Sequence, residues 1–404
     1  MSILIISVSL ILALFVYLYF CIKTKLYINI LTPIFIITIP SRYLLELGYL
    51  LINPQTGTDY GYLMVYLLYT LELTGLVIGY QVIKKNVIVK LIRTTSIPSG
   101  LAWMILLISF AIYLPVLFEF SEFITHPREI YTTTRTGYGL NFFGSLFFAN
   151  LSFLVFLFSK RMNLFLKITF LLILFFVVAM HGSKGPFVTL FFIYLLYLIY
   201  IKNINLSFGR TFYYVIIFCV SMVSLFYFTL PETMKIDFLN GIVNYSDYTR
   251  HAVMVVDDPP DVQYGKLIFE DNVISMIPRA VYPQKPKDYG SFFLAKYYFP
   301  EWFYGDTGSP AFGVGAYFAD FREASLVVIM FISMCIGMLT KIFVNRVVRY
   351  KSPSDFIMLL FFAGVPLLNL GAGYLIIPHL IVTLLFVLAI NTLYRKPNTL
   401  NLPA

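Results

Sequence analysis

Long apolar runs of roughly 20 residues recur along the whole chain, and short polar stretches separate them. A helix of that length crosses the ~30 Å hydrocarbon core of a bilayer. The pattern predicts an all-α polytopic membrane protein with about eleven transmembrane helices. The predicted spans are 3–22, 26–48, 61–83, 98–118, 140–159, 164–181, 186–201, 211–230, 322–344, 355–371 and 375–393.

Composition supports this fold class. Hydrophobic residues make up 59% of the 404 residues and charged residues only 12%, whereas soluble domains are about a quarter charged. The net charge of +9 does not indicate a nucleic-acid partner, because most of the basic residues cluster in short loops on one side of the predicted membrane. This distribution places the N-terminus outside and the C-terminus inside. The external segments are then 49–60, 119–139, 181–186 and 231–310.

The external segment 231–310 dominates the polar part of the chain. A structureless loop of that length is uncommon in a compact protein, so we expect short helices and a functional role there. No internal repeat suggests the paired halves of a secondary transporter. The chain is therefore predicted to form a single integral membrane domain, 1–404, with two functional external segments, 119–139 and 231–310. Pro33 and Pro40 are expected to kink the second span.

Within the large segment, the sequence IPRAVYPQKPKDYG places Arg279 and Lys285 among three prolines and beside Tyr282. Prolines stiffen the backbone, and cations held on it suit a phosphate group, while aromatic faces suit sugar rings. Because the segment lies between spans, this pattern predicts recognition of a phosphate carried by a lipid.

The sequence HPREIYTTTRTGYG in segment 119–139 supplies two more arginines, Arg128 and Arg135. Ten residues separate Arg128 from Gly139, and ten separate Arg279 from Gly290. Glycine lets a backbone approach a ligand closely. On spacing alone, both arginines could equally pair with lipid headgroups or with neighbouring acids.

Three further groups could carry chemistry. Lys184, in the turn HGSKGP, could reach a lipid phosphate or simply extend to the membrane surface. Arg250 and His251 precede the acidic run DDPPD at 257–261, which could bind Mg²⁺ or form a solvated turn. The general base is left open between His251, Asp247 and Asp257. Asp320 could simply be neutralised by Arg322.

Taken together, the paired Arg-x10-Gly motifs and the segments IPRxxYPxKP, GSKGP and FGVGAYFADF resemble the Wzy-type O-antigen polymerases, a family of oligosaccharide repeat-unit polymerases. The resemblance implies a GT-C-like fold and an inverting, metal-independent glycosyltransferase without a cofactor. It also implies work at the periplasmic face of the bacterial inner membrane, within lipopolysaccharide biosynthesis. One departure concerns Ala316, where family members often carry an acid before the tyrosine.

The residue patterns and the resemblance together predict the site. Catalytic roles are predicted for Arg279, Arg128, Arg135 and His251. A role in binding the diphosphate and glycan is predicted for Lys285, Lys184, Arg250, Tyr282, Gly139 and Gly290. The implied partners are undecaprenyl-diphosphate-linked oligosaccharide as donor and acceptor, the bilayer and a chain-length regulator, with no nucleic acid and no metal.

Two alternatives stay open, a flippase for the same lipid-linked oligosaccharide and an O-antigen ligase. A flippase should carry charges along its spans, whereas this chain concentrates its unassigned charge in external segments, which favours the enzyme.

Overall fold

The structure is a computed structural model in which every regular element of the described residues is helical, as the sequence predicts. The described residues are 1–54, 56–83, 98–124, 127, 130, 138–159, 162–204, 206–229, 247–277, 281–304, 310–368 and 376–394. The α-helices, in chain order, are α1 Ser2–Thr24, α2 Thr32–Thr38, α3 Leu45–Ile52, α4 Asp59–Val82, α5 Ser99–Glu119, α6 Gly139–Phe158, α7 Leu164–Met180, α8 Gly185–Leu196, α9 Phe208–Thr229, α10 Asp247–Asp257, α11 Lys266–Asn272, α12 Ser291–Tyr298, α13 Pro300–Tyr304, α14 Gly315–Phe321, α15 Ser325–Tyr350, α16 Pro353–Phe362 and α17 Ile376–Tyr394. Ile39–Leu44 and Tyr197–Ile201 are π-helical, and Ser121–Phe123, Ile274–Met276 and Arg322–Ala324 are 3₁₀ turns.

Seven stretches of helix in the described residues are long and apolar enough to cross a membrane. They are Ser2–Thr24, Thr32–Ile52, Asp59–Val82, Ser99–Glu119, Gly139–Phe158, Gly315–Tyr350 and Ile376–Tyr394. Four shorter apolar helical stretches lie where the remaining spans are predicted, namely Leu164–Met180, Gly185–Ile201, Gly209–Ser221 within α9, and Pro353–Phe362. The multi-pass α-helical class is therefore confirmed, while the count of eleven stays a prediction.

The tenth predicted span, 355–371, differs from the structure. The helix α16 ends at Phe362, and Gly364 follows with a positive φ of 69°. The next backbone carbonyls are held by polar side chains, because the Asn150 amide donates to the Leu367 carbonyl and the Thr189 hydroxyl donates to that of Pro366, 3.1 Å away. Side-chain donors can satisfy irregular backbone among apolar helices, and hydropathy alone does not reveal such a break.

The second predicted span is also interrupted. Pro33 lies in the first turn of α2, where its missing N–H costs nothing. Pro40 lies in the π-helical segment, whose end is marked by the Leu45 N–H donating to the Pro40 carbonyl. The α-helical bonding pattern is thus replaced at Pro40 and resumes in α3.

Contacts divide the chain into two compact units. The first unit comprises Met1–Asn86, Asp237–Ile342 and Leu370–Leu380, and the second comprises Val87–Ile236, Phe343–Asn369 and Ile381–Ala404. In the first unit, α4 packs against α1 and α10, and α10 also packs against α14. This arrangement places α10, the first described helix of segment 231–310, on α4, which is long and apolar enough to cross a membrane.

A glycine seam joins α4 and α15 within the first unit. Gly75 and Gly79 are four residues apart on α4, and Gly337 faces them from α15. A Cβ atom at Gly79 would lie 2.0 Å from the carbonyl oxygen of Met334, and one at Gly337 would lie 2.2 Å from that of Leu76. Small residues at this spacing let helix backbones approach closely in membranes. The seam therefore depends on glycine.

In the second unit, α5 packs against α6. The buried Ser109 hydroxyl donates to the Ser145 carbonyl at 2.8 Å, and the Tyr113 hydroxyl donates to the Met180 carbonyl at 2.8 Å. The ring of Tyr113 also stacks on the buried His181 at 4.0 Å between ring centres. Hydrogen bonds of this kind connect helices where apolar burial alone gives little preference.

The large segment 231–310 contains the short helices that the sequence predicts. These are α10, α11, α12 and α13, together with the 3₁₀ turn Ile274–Met276. They belong to the first unit with the residues that precede α4. The candidate site is built mainly on this set.

Candidate functional site

The predicted site residues are distributed over both units. Arg128, Arg135 and Arg279 lie outside the described residues, so their roles stay predictions. Arg250, His251, Tyr282, Lys285 and Gly290 belong to the first unit, while Gly139 and Lys184 belong to the second.

Lys285 is buried, with 7% of its surface exposed. Its Nζ donates to the carbonyl of Ser275 at 2.9 Å and to that of Ile277 at 3.2 Å, and it lies 4.3 Å from the centre of the Tyr289 ring. These two carbonyls come just before Pro278 and Arg279 in the sequence. The ammonium group therefore fixes the chain that leads to Arg279, a contact that sequence reasoning missed.

Gly290, the glycine of the second motif, lies against the buried carboxylate of Asp271. Its φ is 57°, and a Cβ atom there would lie 2.1 Å from Asp271 Oδ1. The Ser291 N–H donates to that same oxygen at 3.0 Å, the Ser291 hydroxyl donates to Oδ2, and the Gly290 N–H donates to Glu270 Oε2 at 2.7 Å. Two acids of α11 thus hold the start of α12, and the space beside Gly290 is filled by protein.

Burial raises the pKa of the Asp271 carboxyl, and the hydrogen bonds from Ser291 act in the opposite direction. An acid that accepts two hydrogen bonds in a buried position is a structural support rather than an exposed proton acceptor.

Gly139, the glycine of the first motif, has different surroundings. It begins α6, and nothing lies within 4 Å of the position that a Cβ atom would take. Lys184 is half-buried and directly precedes α8, after the turn in which Gly182 has a φ of 60°. Of the two motif glycines, only Gly290 therefore has described neighbours that leave no room for a side chain.

Arg250 and His251 lie side by side on α10. The guanidinium of Arg250 stacks on the ring of Tyr49 at 3.7 Å, a cation–π contact with α3. The Nδ1 atom of His251 lies 3.2 Å from the carbonyl oxygen of Ala311, and its ring packs edge-on against Phe299. His251 is the better shielded of the two, with 8% of its surface exposed.

Burial lowers the pKa of His251, while the charge of Asp247 opposes that effect. The imidazole is therefore neutral at neutral pH, the protonation state that a general base requires. Tyr282, by contrast, is 37% exposed and is available to an external ligand.

The acidic run at 257–261 makes a defined structural contact. Asp257 accepts the N–H of Thr58 at 2.8 Å through Oδ2 and the Thr58 hydroxyl through Oδ1. Thr58 is the N-cap of α4, so Asp257 fastens the end of α10 to the start of α4. Within the ranges that the structure describes, no three His, Cys, Asp or Glu side chains come together as a metal site.

Asp320 is not paired with Arg322 as the sequence suggests. Its carboxylate accepts the N–H groups of Leu267 at 3.1 Å and Ile268 at 3.0 Å and so caps α11. Arg322 donates instead to the carbonyl of Pro260. The pairing was wrong because α14 ends between the two residues, and Arg322, at its C-cap, has a positive φ of 51° that turns the chain away from the helix.

Sequence reasoning also passed over a charged pair inside predicted spans. Arg42 Nη1 lies 2.7 Å from Glu72 Oε2, although both residues belong to apolar stretches of helix. The sequence does contain the relevant signal, since ionisable residues within predicted spans commonly mark functional sites. The spans are therefore not uniformly uncharged.

Comparison with known proteins places the chain among curated relatives. It is 35% identical over 371 residues to a protein described as "O-antigen polymerase" from Salmonella typhimurium strain LT2, covering 91% of this chain and 90% of the relative. A protein of the same description from Salmonella typhi matches to the same extent. No protein-family model matches the chain. No solved structure matches it.

Proposed function

Because the chain belongs to the O-antigen polymerase family, we propose that it joins O-antigen repeat units into polysaccharide while they are attached to a membrane lipid. One observation carries this proposal, the 35% identity that extends over 91% of the chain. The multi-pass helical structure fits a substrate that stays in the bilayer. The residues proposed for chemistry lie in polar segments between the apolar helices.

The proposed reaction is glycosyl transfer with polyprenyl diphosphate as the leaving group. A hydroxyl of the acceptor repeat unit attacks the anomeric carbon of the donor glycan and loses its proton to a base. The bond from that carbon to the diphosphate oxygen breaks, and the electron pair leaves with the diphosphate. Attack on the face opposite the leaving group would invert the anomeric configuration. We place the reaction at the periplasmic face, because the basic clusters orient 231–310 outward.

Arg279, Arg128 and Arg135 are proposed to stabilise the diphosphate as negative charge develops on it. The described neighbours of Arg279 support this assignment. Lys285 fixes the carbonyls of Ser275 and Ile277 on one side of it, and Gly290 closes the motif on the other. A donor held in place before the reaction stabilises developing charge without reorganisation.

His251 is proposed as the general base, since its lowered pKa keeps the ring neutral. Its Nδ1 lies within hydrogen-bonding distance of the Ala311 carbonyl. If the neutral ring carries its proton on Nδ1, that contact leaves Nε2 as the atom that would accept the acceptor's proton. Substitution of His251 by glutamine should then reduce turnover while leaving the binding of lipid-linked substrate intact.

The reaction is proposed to need no metal. Arginines supply the positive charge, and both carboxylate oxygens of Asp257 already accept hydrogen bonds from Thr58. Polymer formation should therefore persist in EDTA. Loss of activity in EDTA that Mg²⁺ restores would make the acidic run at 257–261 the leading site.

The proposed function can be tested with purified protein in detergent, supplied with lipid-linked repeat units from a host strain that lacks its polymerase. We expect a ladder of lipid-linked oligomers and release of polyprenyl diphosphate. A flippase would form no product, because a micelle offers no second leaflet, and a ligase would form product only with a lipid A–core acceptor. Either outcome from folded protein would overturn the proposal.

A further inference from the structure

A polar cavity lies among the membrane helices of the first unit. Its volume is about 180 Å³, and its lining includes Arg42, Glu72, Gly313, Tyr317, Ser333 and Ile336. All of these residues belong to the first unit. The cavity is smaller than the ~300–1,000 Å³ of sites for drug-sized ligands. It can therefore hold one small group rather than a complete repeat unit.

The Arg42–Glu72 ion pair forms the polar wall of this cavity. The side chains remain 28% and 33% exposed, so the pair is reachable from outside the protein. Ionisable groups within spans are costly and commonly mark sites of function. Ion pairs contribute little net stability, whether exposed or buried, so packing alone does not account for this pair.

Local structure fixes the position of Arg42. It lies in the π-helical segment that begins beside Pro40, and the Tyr66 hydroxyl donates to its backbone carbonyl. Its guanidinium stacks on the ring of Tyr69 at 4.3 Å. Single π-helical turns within α-helices frequently occur at functional sites. Here the turn and two tyrosines hold one cation in a defined orientation.

The helical segment that carries Arg42 also contains buried polar atoms that lack a hydrogen-bond partner among the described residues. Thr38, Tyr43 and Glu46 are each at least nine-tenths buried, and each has a side-chain oxygen without a hydrogen-bond partner among the described residues. Buried polar atoms are nearly always satisfied in folded proteins. The three residues do not line the cavity, so their atoms indicate polar surroundings for Arg42 that bound water would complete.

The charge of the cavity selects the class of ligand. Arg42 and Glu72 neutralise each other, so an anion such as phosphate would meet repulsion from Glu72 as well as attraction to Arg42. A sugar ring is neutral and offers hydroxyl groups that both donate to a carboxylate and accept from a guanidinium. Tyr317 adds an aromatic face and Ser333 a hydroxyl.

We propose that the cavity lined by Arg42, Glu72 and Tyr317 binds one neutral monosaccharide residue of the lipid-linked repeat unit. This inference rests on the proposed function, since that function supplies the glycan. Arg42 and Glu72 act in it as substrate-binding residues, and the diphosphate is bound elsewhere.

The test uses purified protein in lipid nanodiscs and repeat units isolated from a polymerase-deficient host. Glu72→Gln should raise KM about 10- to 150-fold, the effect of losing one hydrogen bond to a charged group, with a smaller change in kcat. Ile336→Phe should also raise KM, because it fills the cavity without altering the ion pair. Asp59→Asn serves as the matched control, since it changes an exposed acid at the start of the same helix.

Exchange of the two charges, Arg42→Glu with Glu72→Arg, separates binding from structure. A purely structural pair would recover both membrane level and KM in the exchanged protein, and that result would overturn the inference. We expect the level to recover and KM to stay high. A normal KM in both Glu72→Gln and Ile336→Phe would also overturn it. If the wild-type protein forms no polymer, the proposed function fails instead.

Discussion

Replacement of Gly290 by alanine should destabilise the external helices, whereas replacement of Gly139 should not, although both glycines end an Arg-x10-Gly motif. With φ 57° and ψ −133°, Gly290 lies in a backbone region that residues with a Cβ atom rarely adopt, and alanine there costs ~1–3 kcal/mol. The new Cβ atom would also lie 2.1 Å from Asp271 Oδ1, and moving that carboxylate would break at least one hydrogen bond from Ser291, worth ~1.5–3 kcal/mol. The expected loss is therefore ~2.5–6 kcal/mol.

Tryptophan fluorescence can report this loss locally. The chain has two tryptophans, and Trp302 lies in α13, stacked on Phe299. In a Trp103→Phe background, Trp302 alone would follow unfolding of the first unit in detergent. We expect Gly290→Ala to lower the midpoint of thermal unfolding and Gly139→Ala to leave it unchanged. Equal midpoints would refute the structural role, and loss of activity in both variants without loss of stability would assign both glycines to ligand approach.

Four further outcomes are expected. Gly79→Ala should destabilise the protein by ~1–3 kcal/mol and so lower its amount in the membrane, because the new Cβ atom would collide with the backbone of α15. A wild-type amount in the membrane would argue against the glycine seam. Arg279→Lys should leave single repeat units on lipid, with a ~100–1,000-fold loss in rate, whereas long chains would make Arg279 a headgroup anchor. Cysteine labelling from outside should reach position 265 and not position 90, and the reverse would overturn the topology. The pKa of His251 is lowered in the folded state, so the contribution of this residue to stability is present above its unfolded pKa of about 6.5 and is lost as the pH falls below that value. His251→Gln should therefore flatten the pH dependence of unfolding. An unchanged profile would contradict the lowered pKa.

The fold class follows from the sequence because transmembrane helices are specified locally. A run of apolar residues predicts a span without knowledge of what packs beside it. The same local rule fails where polar side chains of other helices hydrogen-bond the backbone of an apolar stretch and so stabilise a break in the helix. Gly364 and Pro366 lie in an apolar stretch, so hydropathy extends the tenth span beyond Phe362, where α16 ends.

The site was less predictable because its contacts join distant residues. The sequence around Lys285 is typical of a phosphate-binding segment, yet the ammonium group of Lys285 donates to backbone carbonyls ten and eight residues earlier. Asp320 is two residues from Arg322 in sequence, but its partners are 52 and 53 residues away. Charge and spacing indicate which residue types are available. Only the three-dimensional structure shows which of them the protein has already used for its own support.

The contact between Thr58 and Asp257 has a consequence for biosynthesis. The two residues are 199 positions apart, and a ribosome adds ~5–20 residues per second. The start of α4 therefore waits about 10–40 s before the acid that fastens it has been made. During that interval α4 must stay inserted through its apolar surface, its packing against α1 and the Arg42–Glu72 ion pair. A nascent chain that stalls before residue 257 would expose an unfastened helix end to the proteases and chaperones that survey unfinished membrane proteins.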